Sequence, residues 1–493
     1  MLSVLINSKI ILIVHSSAIA EVKAHPQINN QAIPLYEGLK RRIPMDIYRT
    51  EERKTRFNSP TLPGYFNQAE HRKFNFNNQS THTSFRNSST LSVSASPVMN
   101  VPDTLRVYED YQGCFILESD IPSVLRSINE SKMSAIARKS LNRDNFRIQG
   151  WQARKIEGST GNPINLGTYR FEGVGSDHNE WLDWSILLKI IQSPANLGYD
   201  NYGDGDNQAH WNYWKRELLV YQSGWLETLP EGIRAPICYD TMEIPGNLGG
   251  IWLEDVKDSF SSSWPLHRYA LAARHLGRLN GIYISRRELP SFPWLSKNRI
   301  RQWLIAIPWR DFPWDHPLAW HQFPDPVTNS FRSMLLESDF FLAKLEQVPK
   351  TICHGDTYPT NFVSRHLPRN QEQTVAMNWS QTGIEPLGDD LGQLVYGTYI
   401  ALRGYKLNDI SETLFTSYVN GLQDSGCRVD TQLVRFGYTA SAAFRIGLSR
   451  LVNLDEKLKR EPDYPQHNSG SSLLNESFET VMASEAYRLL DMI

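Results

Sequence analysis

The sequence predicts an α+β protein of two lobes, a small strand-rich one followed by a larger helical one, behind a disordered N-terminal tail. Three observations carry this. Strand-like runs cluster between residues 146 and 256, and helix-period stripes dominate afterwards. All 14 tryptophans fall between Trp151 and Trp379. Residues 21–98 have neither Trp nor Cys and are rich in Asn, Ser, Thr and Pro, too little apolar surface to offset the entropy of ordering.

Charge follows the same division. Residues 21–98 hold 11 Lys+Arg against 6 Asp+Glu, and residues 99–493 hold 39 against 47. Over the whole chain, 51 basic and 53 acidic groups leave no basic field for nucleic acid. At the start, Ile10 to Val14 is apolar and Ser17 to Ala20 resembles a signal-peptidase site, but Lys9 interrupts the apolar run instead of preceding it. That run is far shorter than the roughly 20 residues that span a bilayer, so no membrane protein is expected. A true start at Met99 would equally account for residues 1–98. Four cysteines without CxxC spacing predict reduced thiols in a cytoplasmic protein.

In chain order, Asp103 to Arg147 reads as helical, with Leu125, Ile128, Met133 and Ile136 at helix-like intervals. Phe146–Ile156 and Gly167–Val174 form a hairpin around Glu157 to Pro163. Trp184–Ile191 is a third strand with Lys189 inside its apolar run. His210–Leu226 reads as an amphipathic helix, with Trp211, Trp214, Leu218, Tyr221 and Trp225 on one face and Lys215 and Arg216 pointing away. Ile251–Leu253 is a strand ending at Glu254. Ser263 caps the next helix, Pro265 sits in its first turn, and Leu266, Ala270, Ala273, Leu276 and Leu279 form its stripe. Short strands are expected at Thr351–Cys353 and Thr374–Met377.

Motifs for P-loops, zincins and nucleophile elbows are absent. Gly203 and Gly205 begin a glycine loop that Gln208 breaks, and Asp200, Asp204 and Asp206 lack calcium-loop spacing. The informative segment is His354 to Asn361, with Asp356 two residues after the histidine and Asn361 five beyond the acid. That is the H-x-D-x-x-x-x-N spacing of a phosphoryl-transfer loop, in which the acid accepts a hydroxyl proton and the amide reaches a metal ion. Asn378-Trp379 follows 17 residues later. Lys189 in a buried strand and Glu217 on the apolar face of its helix would satisfy one another. The alternatives are a lysine on an exposed edge strand and a glutamate at the stripe's margin.

These residues resemble the aminoglycoside phosphotransferase and choline-kinase-like family, whose fold is protein-kinase-like. The resemblance runs over about 145–455 and is best kept in 351–395, where Met377-Asn378-Trp379, Gly383 to Pro386 and Asp390-Leu391 follow the catalytic-loop motif. It implies three regions: the tail 1–98, a nucleotide-binding lobe with its leading helix at 99–257, and a catalytic and acceptor-binding helical lobe at 258–493. It also implies ATP and Mg2+ as cofactors, with transfer to a hydroxyl of a small acceptor such as an aminoglycoside, choline-like alcohol or sugar. Asp356 and His354 would be catalytic, and Lys189, Glu217, Gly158 and Gly161 would bind nucleotide. Asn361 and Asn378 would hold metal, and Glu254 to Val256 would be the hinge. The family has aspartate where Asn378 stands, so the metal shell here lacks a negative charge unless Asp356, Asp389 or Asp390 supplies it. The chain is then a weakened enzyme, one that uses metal differently, or a nucleotide-binding pseudokinase.

Overall fold

Alternation builds the strand-rich lobe and leaves one lysine on its inner face. The computed structural model describes residues 114–115, 125, 128–156, 162, 164–197, 207–260, 264–317, 319, 323, 329–460 and 477–493. The expected tail, Ser263, Gly158, Gly161 and the acidic loop around Asp204 lie outside the described residues.

The first lobe contains β1 (Cys114–Phe115), α1 (Glu130–Leu141), β2 (Arg147–Lys155), β3 (Asn165–Asp177), β4 (Glu180–Gln192), α2 (Arg216–Gln222), β5 (Ile233–Arg234), β6 (Cys238–Ile244) and β7 (Leu248–Glu254). Six of these strands form one sheet in the order β1-β2-β3-β4-β7-β6, antiparallel except for the β1–β2 pair. Leu188 and Ile190 of β4 face a core with Phe171, Trp252 and α1's Met133 and Ile136. Ile191 joins the second, larger core together with Ile251 and Leu218. Since side chains alternate along a strand, Lys189 shares the face of Ile191. Its strand is interior, flanked by β3 and β7, so the exposed-edge alternative is removed.

Two helices differ from expectation. Of the helix expected over Asp103 to Arg147, the described residues show a strand at Cys114–Phe115, a helical Leu125 and α1. Asn129 caps its start by accepting from Lys132 N at 2.8 Å, and Asn142 ends it in the left-handed region at φ 53°. Asparagine tolerates that conformation, which closes the helix despite continuing apolar spacing. The expected helix His210–Leu226 is helical only over α2, and Gly224 at φ 70° separates it from the turn that carries Trp225.

The second lobe contains α3 (Leu266–Ser285), β8 (Ser296–Lys297), α4 (Arg299–Ala306), α5 (Ser330–Leu336), α6 (Ser338–Leu345), β9 (Lys350–Cys353), β10 (Phe362–Leu367), β11 (Gln371–Ala376), β12 (Gly383–Pro386), α7 (Asp389–Ala401), α8 (Leu407–Asp424), α9 (Thr431–Arg460) and α10 (Phe478–Leu489). Pro265 precedes α3 in extended backbone and is not in its first turn. Two three-stranded sheets, β10-β11-β5 and β8-β12-β9, hold the loops that follow β9 and β11. The fold is thus the two-lobed α+β arrangement that the sequence predicts. Among the described residues, no helix is long and apolar enough to cross a membrane, and Cys238, Cys353 and Cys427 are free.

Candidate active site

The loop after β9 is held open by one glycine and one carboxylate. Gly355 sits at φ 83°, and a Cβ there would lie 2.1 Å from Gln381 O, so only glycine fits. The N–H groups of His354 and Gly355 both donate to Asp390, each at 2.9 Å. His354 is fully buried, accepts from Asp356 N at Nδ1 (3.1 Å) and donates from Nε2 to Met377 O (2.9 Å). Those roles fix the neutral tautomer, and burial pushes its pKa down to about 3. The histidine therefore positions the loop, with both ring nitrogens engaged in holding it.

Asp356 is the half-buried acid of this loop, its carboxyl raised by burial despite Arg445, Lys189 and Asn361 nearby. Asn361 donates from Nδ2 to Asp356 O at 2.8 Å, and Met377 N donates to Asn361 O at 2.8 Å, which ties the loop to the end of β11. The next residue, Asn378, stands in the left-handed region at φ 63°.

Asn378 joins the two lobes chemically. Its Nδ2 donates to Asp356 Oδ2 at 2.6 Å, and its Oδ1 accepts from Lys189 Nζ at 3.0 Å and from Ser380 Oγ at 3.2 Å. A carboxylate only accepts and an ammonium only donates, so the amide has one satisfying orientation. Lys189 also pairs with Glu217, whose side chain is 2% exposed. The other carboxylate oxygen of Glu217 has no hydrogen-bond partner among the described residues. The structure thus brings Lys189, Glu217, Asn378, Asp356 and Asn361 together.

The expected hinge is pinned. Glu254 accepts from Arg234 at 2.6 and 3.0 Å and from Ile237 N at 3.1 Å, and Asp255 accepts from Arg170 at 2.8 Å. Trp252 is fully buried core, as its run of apolar neighbours implies.

Several contributors have no sequence motif. Arg299 and Arg445 share Asp389 Oδ2, at 3.2 and 3.1 Å. Arg299 also donates to Gln381 O, and Arg445 to Gly355 O, both at 2.6 Å. The one signal was an arginine inside the apolar run of α9. Arg216, expected to point outward, is fully buried.

The residues present do not fit a resident divalent ion. Asn378 Oδ1 faces an ammonium, which repels a cation at the same oxygen. Asp389 is committed to two arginines, and Asp390 to backbone N–H groups and Asn280. Asp356 is the remaining carboxylate, and one of its oxygens holds the amide. Cys353, Asp389 and Asp390 converge closely, but burial keeps the thiol protonated, and Asp389 Oδ2 and both oxygens of Asp390 are already engaged.

No protein-family model and no curated protein matches the chain. Solved structures do. Amicoumacin kinase hAmiN, in complex with AMP-PNP, Ca2+ and Ami, is 12% identical with a TM-score of 0.38, over 76% of this chain and 96% of that one. Choline kinase LicA from Streptococcus pneumoniae is 14% identical with a TM-score of 0.35, over 74% and 99%. The GDP complex of aminoglycoside 2'-phosphotransferase-IIIa is 11% identical with a TM-score of 0.37, over 74% and 98%.

Proposed function

We propose that the chain binds ATP beside Lys189 and transfers its γ-phosphoryl group to a hydroxyl of a small acceptor. The observation that carries this reading is the Lys189–Asn378–Asp356 bridge, which sets a phosphate-binding cation and a proton acceptor at the two ends of one amide. Lys189, held by Glu217, would contact the nucleotide's phosphates. The acceptor oxygen forms the new P–O bond as the bond to the β-phosphate oxygen breaks, ADP leaves, and the hydroxyl proton passes to Asp356.

The test is ATP turnover, with and without divalent cations, against alcohols, amino sugars and choline-like acceptors. Transfer to one class supports the reading, and no transfer where a known kinase works on the same panel overturns it. A second reading, nucleotide binding without transfer, is favoured by the ammonium on Asn378 Oδ1. Its signature is thermal stabilisation by ATP that is indifferent to divalent cation, with no transfer.

A further inference from the structure

Arg216 carries a buried charge with no carboxylate inside ion-pair reach among the described residues. Such a group is costly unless all its donors are met. Here they are. Nε donates to Trp294 O at 2.6 Å, Nη1 to Trp211 O at 2.7 Å and to Ser380 O at 3.0 Å. Nη2 donates to His210 O and, at 3.4 Å, to Gln208 O. Five N–H groups end on five main-chain oxygens from three separate stretches of chain.

Two of those connections matter for the site. Arg216 opens α2, the helix that carries Glu217. Ser380 belongs to the turn that begins at Asn378, and its hydroxyl donates to Asn378 Oδ1. One guanidinium therefore joins the helix that holds Lys189's carboxylate partner to the turn that holds Lys189's amide partner. Lysine could not make this join, since a single ammonium lacks the planar fork that reaches three segments.

We propose that Arg216 is a positioning residue that makes the Lys189–Glu217 pair and the Asn378 bridge move as one unit, so that nucleotide binding orders both together. This rests on the nucleotide-site reading above. The first test is hydrogen exchange on the full chain with and without AMP-PNP. Residues 216–222 and 379–382 should gain protection in parallel. Protection of one segment alone overturns the proposal while leaving nucleotide binding intact, and protection of neither overturns both readings. The second test is Arg216→Lys, alone and with Glu217→Gln. Nucleotide affinity should fall about tenfold in the single variant, with little further loss in the double, because both changes act on one coupled element. A folded Arg216→Lys protein with unchanged affinity, or losses that simply multiply, would place Arg216 in the scaffold only. Should that variant fail to fold, the exchange measurement on the unaltered chain still decides.

Discussion

Asn378 donates from Nδ2 to Asp356 Oδ2 at 2.6 Å, a hydrogen bond that favours the ionised acid against the burial that raises its pKa. The amide thus supports a charged Asp356 while carrying no charge itself. An aspartate there would set two carboxylates against one another.

Asp356→Asn is expected to lower turnover by about 10²–10⁴-fold, the usual loss when a general base is removed. Nucleotide affinity should hardly change, because Lys189 and Glu217 are untouched. Parallel titration calorimetry and transfer assays check the split. Equal loss of both would place Asp356 in nucleotide binding.

Asn378→Asp is expected to create a cation requirement. Like charges at this spacing repel by several kcal/mol even at an effective dielectric of ~20, unless a proton or metal ion lies between them. The variant should melt lower in chelator and recover with Mg2+, and its nucleotide affinity and turnover should rise with added Mg2+. A melting temperature indifferent to the ion would show that the carboxylates turn apart.

Lys189→Met should be strongly destabilising because it strands Glu217, a buried carboxylate, at a cost of about 3–5 kcal/mol. Lys189→Met combined with Glu217→Leu should regain much of that loss. Urea unfolding of the single and double variants measures the difference.

His354 gives stability a pH dependence of known sign. Its pKa falls from 6.5 to about 3 on folding, so between those values the unfolded chain binds the extra proton. Its contribution is complete above 6.5 and is lost as pH falls through the window, by about 1.4 kcal/mol per pH unit. Asp356, Glu385 and Asp390, raised by burial, oppose it over part of the range. The measurement is therefore the difference between the natural chain and His354→Asn, by urea unfolding at pH 4.5–6. No difference in slope would mean that the imidazole is protonated in the folded protein.

Much of this site was legible because its residues keep close company along the chain. The block from His354 to Leu391 carries its loop, turn and bracing acid within one stretch, and Lys189 announced itself by interrupting an apolar strand. What stayed hidden depends on contacts distant in sequence. Arg216 reads as solvent-facing from helical spacing, yet the segment before it is not helical, so the spacing no longer predicts direction. Arg299 and Arg445 act on main-chain oxygens of residues 381 and 355, a partnership that no local pattern records. The left-handed turn at Asn142 was missed for a similar reason, since apolar periodicity carries no information about where a capping residue intervenes.

The grip of Arg445 on Gly355 also sets an order of assembly. During synthesis, which runs from the N-terminus at roughly 5–20 residues per second, the loop of His354 to Asn361 leaves the ribosome well before the arginine that fixes it. Asp389 emerges in between and waits for that second guanidinium, with Arg299 already at hand. A nascent chain ending before α9 therefore holds the motif residues without the geometry that makes them a site. The geometry of the candidate site is complete only once Arg445 has been made, after the strands of both lobes.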